Sequence, residues 1–510
     1  MTPDELGRLH ETLGDAVTKL ISAHARSLES RPVTSAATPD NLKKVFAEPL
    51  PLDGVPAQEI LDKFARDVVP HAMQVPSPRY FGQFNPTPLA IGVWADALCS
   101  SLNQNAGAWR NGPTSALIED RVIRWLCELI GYESTAYGVL ASGGSEANLI
   151  ALKCARDGAV ARPSGVPARA SRVGCSTARA QCDIPRSGVR SINQELTVYT
   201  SEQCHYSVEK SLDILGLGRE SLRKIETDER FHIRLDRLRA TIKADMEAGR
   251  QPFCIVGVAG TTSTGVIDPL PELSDIAREH NLWFHVDAAY GGGLAFSAQH
   301  RGKLRGIELA DSITFDPHKW MFVPFSCGAT LVRDGAQVLR NSFDMSPEYL
   351  SEERGFDDAQ FDFFRYGQMG TRRFNALKLW MCFKFMGKDG YAETTERHVE
   401  LTEYLARRLD QLPEFRRVGA IETAVCCFRY LPETVRSTSP DEQDRVQQAL
   451  QQRIERSGKA FFPSTILHGR RALRVNINSY LTEQRHVDDL VELLCEEGAR
   501  VLEHSLKSAK

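Results

Sequence analysis

Apolar residues recur every three or four positions near the start of the chain, and this spacing predicts an amphipathic helix over Glu5–Leu28. The repeating positions are Leu6, Leu9, Leu13, Val17, Leu20 and Ile21. A second amphipathic stretch covers Gln58–Val69, and the segment between the two is rich in proline. One apolar stripe gives too little core for an independent domain. We therefore expect residues 1–89 to form a helical arm that packs on something else, such as a partner subunit.

From about residue 90 the pattern changes to short apolar segments that alternate with amphipathic helices, which we predict over Glu119–Ile130 and Asn148–Arg156. The strand candidates are Leu196–Thr200, Phe253–Ala259, Leu282–Val286, Ser312–Phe315 and Ala329–Val332. Continuous apolar strands are typical of a sheet that is buried on both faces. Their alternation with helices predicts a mostly parallel α/β sheet in a domain that spans residues 90–376.

The last section, residues 377–510, mixes charged helical stretches with a few strands, and this mixture predicts a smaller α+β domain. The predicted helices and strands are Leu377–Met386, Thr394–Leu409, Ala424–Tyr430, Glu442–Arg456 and Leu473–Ile477. An insert at residues 158–194 stands apart, because it has six arginines, one acidic residue and no aromatic residue. This composition favours a surface loop over a nucleic-acid site. The role of the insert stays open, with a basic docking site as the alternative.

Composition narrows the class of protein. The 510 residues are 42% hydrophobic and 25% charged, which is ordinary for a globular chain, and the net charge of −4 argues against a nucleic-acid partner. No run approaches the roughly 20 apolar residues that span a bilayer, so we expect no membrane association. Twelve scattered cysteines without a Cys-x-x-Cys pair disfavour a disulfide scaffold and a zinc ribbon. We expect reduced thiols, a cytoplasmic location and no metal site.

The segment Ser312–Trp320 places Lys319 just beyond the end of a predicted buried strand and directly after His318. A charged ammonium is costly to bury, so burial favours the neutral amine. A neutral amine at the end of a strand is the nucleophile that forms a Schiff base with an aldehyde cofactor. A lysine in this place can also simply reach solvent, and the segment alone does not decide between the two.

A second buried strand ends in Asp287, in the segment Trp283–Tyr290. Ligands of open α/β sheets lie outside the carboxyl ends of the strands. A carboxylate there can keep a ring nitrogen protonated, as pyridoxal phosphate requires in order to act as an electron sink. An aspartate that caps a turn is the alternative, but its pairing with a strand-end lysine favours the cofactor.

Three further segments offer groups that a phosphorylated ring cofactor needs, and two of them, at His205 and Thr262, follow predicted strands. Gly143, Gly144 and Ser145 form a turn that runs into a helix, where backbone amides can receive a phosphate. His205 is a candidate to stack on the cofactor ring. Thr262 offers a hydroxyl near the same face.

Asp-Pro-His-Lys-Trp, His-Val-Asp-Ala-Ala-Tyr and the strand-end histidine occur in one order that resembles the pyridoxal-phosphate-dependent group II amino-acid decarboxylases. This family includes aromatic-L-amino-acid, glutamate and 2,4-diaminobutyrate enzymes, and the resemblance covers about Pro76–Val487. It implies an α/β chain of fold type I, like aspartate aminotransferase. It also implies a mostly parallel central sheet, a helical arm exchanged across an obligate homodimer, and a small C-terminal α+β domain.

The resemblance also implies roles for single residues. Lys319 would form the Schiff base, Asp287 would pair with the ring nitrogen, and His205 would stack on the ring. Gly143, Gly144 and Ser145 would hold the phosphate. The wider set of implied cofactor and catalytic residues includes Thr262, Asp316 and His318.

Tyr349 lies where the family has a proton-donating tyrosine on a mobile catalytic loop. A tyrosine on a loop that closes over the site can return a proton to the α-carbon after CO2 leaves. A phenylalanine at this position is associated with aldehyde formation, so Tyr349 favours simple decarboxylation.

The substrate-binding candidates come from three matches to the family: Gln83, Phe84, Asn85, Trp109 and Arg474. Phe84 and Trp109 favour an aromatic substrate. Gln83, a residue type that glutamate enzymes share, and Arg474, whose guanidinium suits a carboxylate, favour an acidic one. The segment Thr371–Trp380 is closer to bacterial enzymes, which include the diaminobutyrate type.

We therefore expect pyridoxal-phosphate-dependent α-decarboxylation of an L-amino acid to an amine and CO2, with an aromatic substrate preferred. A decarboxylase for an acidic or diamino acid is the main alternative. The remaining alternatives are an aldehyde-forming enzyme, an aminotransferase and a non-catalytic paralogue. We expect a homodimer with the active site at its interface.

Overall fold

The computed structural model describes residues 1–160, 195–345 and 362–508, with side chains described as far as residue 503. The chain divides into two compact units. The smaller unit comprises Met1–Thr87, Glu400–Val418 and Ala424–Lys510, and the larger comprises Pro88–Val399 and Gly419–Thr423. Most of the predicted insert lies outside the described residues, and so does Tyr349.

Eleven strands lie in the described residues. They are β1 Tyr137–Ala141, β2 Leu196–Ser201, β3 Leu222–Ile225, β4 Gln251–Val258, β5 Trp283–Asp287, β6 Ser312–Phe315, β7 Gly328–Val332, β8 Phe415–Val418, β9 Val425–Tyr430, β10 Ser464–Leu467 and β11 Arg470–Asn476.

The α-helices of the described residues are numbered in chain order. They are α1 Pro3–Arg26, α2 Pro39–Val45, α3 Ala57–Lys63, α4 Ala90–Leu102, α5 Pro113–Ile130, α6 Gly144–Val160, α7 Ser207–Ile214, α8 Leu235–Glu247, α9 Leu270–Glu279, α10 Gly335–Phe343, α11 Asn375–Asp410, α12 Glu433–Arg436, α13 Pro440–Ser457 and α14 Gln484–Ser508. Helix α11 is interrupted at Gly387, whose φ of 63° favours glycine. The break separates the two helices that the pattern predicts there.

The larger unit is built on a seven-stranded sheet with the order β1-β7-β6-β5-β4-β2-β3. The pairs from β3 to β6 are parallel, whereas β7 is antiparallel to both of its neighbours. Strands β1, β2, β5, β6 and β7 are buried along their whole length. The sequence-based prediction of a mostly parallel α/β sheet is confirmed.

Two strands of this sheet escaped the pattern analysis. Strand β3 is an edge strand in which only the first and last of four residues, Leu222 and Ile225, are buried, so its residues do not form an apolar run. Strand β1 ends just before the glycine turn at Gly143, and it was not among the predicted strands. A Cβ atom on Gly138 in this strand would lie 2.4 Å from the carbonyl oxygen of Thr330, so only glycine fits there.

The smaller unit holds a four-stranded antiparallel sheet with the order β10-β11-β9-β8. The N-terminal helix α1 begins with a capping box, in which Thr2 and Glu5 exchange side-chain-to-backbone hydrogen bonds. None of the residues of α1 is buried. The chain after α1 is held by Val33, whose N–H donates to the carbonyl of Gly458 at 2.7 Å. The predicted second arm helix is α3 followed by a π-helical turn at Phe64–Val68.

Candidate active site

Lys319 lies in the turn that follows β6, at the carboxyl end of the sheet. Its Nζ atom is 3.0 Å from Oδ2 of Asp316, and its backbone N–H donates to the carbonyl of the same residue at 2.9 Å. The Asp316 side chain is only 1% exposed, whereas that of Lys319 is 22% exposed. The sequence-based picture of an isolated amine did not foresee this ion pair.

His318 supports the same turn from the side of the sheet. Its Nδ1 accepts a hydrogen bond from the backbone N–H of Cys327 at 3.0 Å. Burial lowers the pKa of His318, so the ring is neutral and carries its proton on Nε2. Nε2 lies 3.6 Å from Oδ2 of Asp316. His318 therefore lies beside the carboxylate that pairs with Lys319.

Asp287 is the last residue of β5 and is buried. Its Oδ2 accepts a hydrogen bond from Nδ2 of Asn148 at 2.9 Å, and its Oδ1 accepts one from the backbone N–H of Ala289 at 3.1 Å. Both carboxylate oxygens accept, as an ionised carboxylate does.

His205 follows β2 at the same end of the sheet. Its Nδ1 lies 2.7 Å from Oγ of Ser207 and accepts the backbone N–H of that residue at 3.3 Å. Burial is the main cause that lowers the pKa of His205, and the charges of Asp287, Lys319 and Asp316 act on it as well. The fold therefore brings these four predicted site residues within electrostatic reach of one another.

The glycine turn before α6 packs against the lysine turn. A Cβ atom on Gly143 would lie 2.9 Å from Cε1 of His318, and one on Gly144 would lie 2.8 Å from Oδ2 of Asp316. Glycine therefore allows the start of α6 to reach the lysine turn. The first amides of a helix have no acceptor within the helix and lie at its positive end, which suits an anion. Ser145 is exposed at this helix start.

Two other predicted residues of the larger unit have less defined surroundings. Thr262 is exposed in the loop after β4, whereas its neighbour Thr261 is buried with its hydroxyl 2.7 Å from that of Thr264. Trp109 is half-buried, and its backbone N–H donates to Oδ1 of Asp362 at 2.9 Å. The structure does not give Thr262 a buried hydroxyl contact of the kind that its neighbour makes.

The remaining substrate candidates belong to the smaller unit and lie along β11. Arg474 is buried, with its guanidinium 4.7 Å from the ring centroid of Phe84 and its Nη1 donating to the carbonyl of Gly82 at 3.1 Å. Gln83 is exposed and Asn85 is half-buried. The side-chain amides of two further residues donate to the carbonyl of Gln83 at 3.3 Å, and they are Asn476 and Asn478.

The chain is similar in sequence and in structure to known proteins. A model of the pyridoxal-dependent decarboxylase conserved domain matches residues 39–431. The chain belongs to the pyridoxal-dependent decarboxylase family. It is 32% identical over 483 residues to an aromatic-L-amino-acid decarboxylase of Bacillus atrophaeus, covering 94% of each chain.

Two more relatives widen the range of substrates. An acidic amino acid decarboxylase of Xenopus tropicalis is 30% identical over 399 residues, which cover 78% of this chain and 73% of the relative. The crystal structure of a Catharanthus roseus tryptophan decarboxylase in complex with L-tryptophan superposes with a TM-score of 0.84 at 26% identity, covering 98% of this chain and 99% of the other. The fold is therefore that of fold type I, and the protein is a pyridoxal-phosphate-dependent amino-acid carboxy-lyase.

The residues of this decarboxylase fit the cofactor. Lys319 offers an amine for the aldehyde, Asp287 an acceptor for the ring nitrogen, and His205 a ring to stack. The glycine turn at the start of α6 offers amides for the phosphate. Asp316 is the exception, because its Oδ1 is a buried oxygen with no hydrogen-bond partner among the described residues, and a carboxylate beside that turn repels a phosphate.

Four residues behind the site were missed by the sequence analysis as functional candidates. They form a buried layer of hydrogen bonds with Asp287 and His205, and they are Asn148, Ser207, His285 and Thr314. The family motif includes some of their positions, but nothing in their spacing indicates that they touch. In the described part of the chain no helix is long and apolar enough to cross a bilayer, and no group of three His, Cys, Asp or Glu residues is placed to hold a metal ion.

Proposed function

We propose that this decarboxylase acts on an aromatic L-amino acid and releases the amine and CO2. The observation that carries the reaction is the convergence of Lys319, Asp287 and His205 at the carboxyl ends of strands β2, β5 and β6 of one sheet. Pyridoxal phosphate, when bound, supplies the electron sink that stabilises the charge left by the departing CO2.

The residues of the protein hold and orient the reacting groups of the cofactor and the substrate. Lys319 gives the amine that anchors the aldehyde carbon, and Asp287 accepts a hydrogen bond from the ring nitrogen and so keeps its proton in place. His205 covers one face of the ring and excludes water from it. Tyr349, which lies outside the described residues, returns the proton to the α-carbon in this proposal.

The surroundings of Arg474 support the aromatic substrate. An arginine that recognises a side-chain carboxylate presents its planar fork of N–H groups to the two oxygens. Here one arm of the fork, Nη1, is bonded to the carbonyl of Gly82, and the face of the guanidinium covers Phe84. Arg474 therefore packs on the ring of Phe84, and this contact supports an aromatic surface here. The aromatic-L-amino-acid decarboxylase of Bacillus atrophaeus, at 32% identity, points in the same direction.

An acidic amino acid is the second candidate. It is favoured by the exposed amide of Gln83 and by the acidic amino acid decarboxylase of Xenopus tropicalis among the relatives. A diamino acid is the third candidate substrate. An aldehyde-forming or aminotransferase reaction on the same fold ranks below these three.

A substrate panel tests the proposal. Purified holoenzyme is supplied separately with aromatic, acidic and diamino L-amino acids, and the amine is quantified by mass spectrometry. We expect kcat/KM for the best aromatic acid to exceed that for any acidic or diamino acid by at least about tenfold, because a large aromatic side chain buries enough surface to supply this difference. A higher kcat/KM for an acidic or diamino acid overturns the substrate class, and an aldehyde or a keto acid as the main product overturns the reaction.

Variants at the proposed aromatic surface sharpen this panel. Phe84→Leu keeps an apolar side chain but removes the ring, so we expect it to lower kcat/KM for aromatic substrates while leaving the rate with poor substrates unchanged. Phe415→Leu is a matched control, because Phe415 is also a buried ring of the same unit and packs on Phe428 and Tyr430. Equal losses in the two variants contradict a substrate-facing role for Phe84.

We further propose a cytoplasmic homodimer in which residues 1–89 form a lid arm, residues 90–376 bind the cofactor and residues 377–510 form a small C-terminal domain. One face of α4 supports the dimer, since Trp94, Leu98 and Leu102 recur at four-residue spacing and are 40%, 49% and 56% exposed. An exposed apolar ridge of this kind is typical of an interface. All ten cysteines of the described residues are free thiols, as in a reducing compartment.

Light scattering on the purified protein tests the dimer. We expect Leu98→Asp to shift the mass toward the monomer, whereas Leu309→Asp, at an exposed leucine outside α4 in the same unit, leaves it unchanged. A wild-type protein that is monomeric at micromolar concentration overturns the dimer.

A further inference from the structure

Asn148, in the second turn of α6, is the centre of a buried hydrogen-bond network behind the site. Its side chain is buried, and its Nδ2 atom lies 2.9 Å from Oδ2 of Asp287 and 2.9 Å from Oγ of Ser207. Its Oδ1 lies 2.7 Å from Oγ1 of Thr314 and 3.0 Å from Nε2 of His285. Every hydrogen-bonding position of the amide is therefore filled.

The carboxylate of Asp287 decides which way this amide points. An ionised carboxylate only accepts hydrogen bonds, so the amino group of Asn148 must face it. The amide oxygen then faces Thr314 and His285, and both of these must donate. The reversed amide would bring its oxygen against the carboxylate, which is repulsive in a buried site.

The direction of the amide fixes the proton on His285. Its Nε2 carries the proton and donates to Asn148, and its Nδ1 accepts from Oγ of Ser312 at 2.9 Å. Oγ of Ser312 in turn accepts the Nε1–H of Trp283 at 2.8 Å, so its own proton can point at His285. Burial lowers the pKa of His285 to about 4, which keeps the ring neutral.

The second N–H of Asn148 reaches the other face of the site. It donates to Oγ of Ser207, and that hydroxyl lies 2.7 Å from Nδ1 of His205. The backbone N–H of Ser207 also points at the same Nδ1. His205 therefore accepts at Nδ1 and carries its proton on Nε2.

We propose that Asn148 is a positioning residue of the decarboxylase, whose single amide holds Asp287 and, through Ser207, His205 in one fixed relation. This inference rests on the proposed roles of Asp287 at the ring nitrogen and of His205 on the ring face. Asp287 and His205, which contact one flat ring from different directions in this proposal, are both held by the amide of Asn148. Loss of the amide lets them move independently, so the ring is bound more weakly and is less well oriented.

Two substitutions of Asn148 separate the role of its amide as a donor from its role as an acceptor. Asn148→Leu keeps a side chain of the same branching but neither donates nor accepts. Asn148→Asp keeps an acceptor for Thr314 and His285 but loses the donors and puts a second carboxylate against Asp287. Thr330→Val is the matched control, because Thr330 is buried and donates to the backbone of the same helix, at Ala147, without joining the network.

The first measurement is the dissociation constant of pyridoxal phosphate, followed by visible absorbance in the absence of substrate. We expect the dissociation constant to rise at least about tenfold in Asn148→Leu and in Asn148→Asp, because each variant loses a hydrogen bond to a charged group. We also expect kcat to fall while KM changes little, since Asn148 is buried behind Asp287. Thr330→Val should match the wild type in all three quantities.

The second measurement needs no cofactor. In apoprotein labelled with ¹⁵N-histidine, NMR reports which nitrogen of His285 carries the proton, with the signal assigned by comparison with His285→Gln. We expect Nε2–H in the wild type and in Asn148→Asp. In Asn148→Leu the proton should move to Nδ1, where the carbonyl of Ser312 lies 3.1 Å away and can accept it.

These outcomes decide the proposal. A wild-type His285 protonated at Nδ1, or a dissociation constant in Asn148→Leu within about twofold of that in Thr330→Val, overturns it. Circular dichroism and the unfolding midpoint of each apoprotein show whether a variant has folded. Visible absorbance that is identical in the wild type and Lys319→Ala overturns the proposed function instead, and the tautomer result distinguishes that failure from a failure of the network.

Discussion

The ammonium of Lys319 and the carboxylate of Asp316 form an ion pair of 3.0 Å, three residues apart in sequence, inside the proposed cofactor site. The carboxylate is almost fully buried, and its other oxygen has no hydrogen-bond partner among the described residues. Attack on an aldehyde requires the lone pair of the amine. The ion pair must therefore be broken before the cofactor is bound covalently, and the same carboxylate repels the phosphate at the neighbouring glycine turn.

The Asp316→Asn variant should therefore bind pyridoxal phosphate faster than the wild type. The amide keeps the size of the side chain but removes the charge that holds Lys319 and opposes the phosphate. We expect the rate constant for recombination of apoenzyme with the cofactor to rise about tenfold at neutral pH, as measured by stopped-flow absorbance. The double variant with Lys319→Ala should show no visible band. An unchanged or slower recombination contradicts an inhibitory ion pair.

A second buried ion pair ties the segment before α11 to α5, and a hydrogen bond of the same arginine reaches β1. Arg372 donates to both oxygens of Glu119, at 2.5 and 3.0 Å, and to the carbonyl of Leu140 at 2.9 Å, while Glu119 also accepts the N–H of Leu140. Both side chains are buried. Because removing one partner leaves the other charge buried and unpaired, we expect Arg372→Met to lower the free energy of unfolding by about 3–5 kcal/mol. Urea unfolding of the apoenzyme measures this loss.

The control for that prediction is the double variant Glu119→Leu with Arg372→Met. It replaces both charges by apolar groups of similar volume, so it should regain part of the stability lost in the single variant. A double variant that is less stable than Arg372→Met alone contradicts the explanation by an uncompensated charge.

The sheet and the strand-end residues were predictable because they follow from local patterns. Buried parallel strands are continuous apolar runs, and the residues that follow them must lie at one edge of the sheet. These two regularities suffice to bring Lys319, Asp287 and His205 together from the sequence. The edge strand β3 escaped prediction because the two residues between its buried ends are Arg223 and Lys224, which interrupt the apolar run.

The supporting layer was not predictable, because it depends on distances across the sheet. Asn148 and Asp287 are 139 positions apart in the chain, and only the packing of α6 on the sheet brings the amide to the carboxylate. A polar residue within the first turns of a helix is usually solvated or caps the helix, so Asn148 gives no local signal. The ion pair between Lys319 and Asp316 was missed for a different reason: sequence spacing places both in one turn but does not aim their side chains.

His285 should make the stability of the apoenzyme pH-dependent. Its pKa is about 4 in the folded chain, through burial, against 6.5 as the ordinary value. The unfolded chain therefore binds more protons between these two values, so stability is complete above pH 6.5 and is lost as the pH falls toward 4. We expect this residue to account for about 2 kcal/mol of lost stability at pH 5 relative to pH 7.

The measurement is urea unfolding at several pH values for the wild type and His285→Gln. Asp268, whose pKa burial raises to about 6, acts in the opposite direction but is present in both proteins. The difference between the two curves therefore isolates His285. Between pH 4 and 6.5 the free energy of unfolding should depend less steeply on pH in the variant, by the equivalent of up to one bound proton. If the free energies of the two proteins change in parallel with pH, a neutral buried imidazole is contradicted.

Tyr349→Phe tests the product-determining step. Without the phenol no proton reaches the α-carbon promptly after CO2 leaves, and the carbanion persists long enough to be oxidised by O2. We expect CO2 release to continue while the product shifts from the amine to the aldehyde and ammonia, with O2 consumed and hydrogen peroxide formed. Mass spectrometry of the amine and aldehyde, together with an oxygen electrode, follows the shift. Tyr206→Phe removes a phenol beside His205 and should keep the amine as product. An unchanged amine yield in Tyr349→Phe assigns the proton to another group.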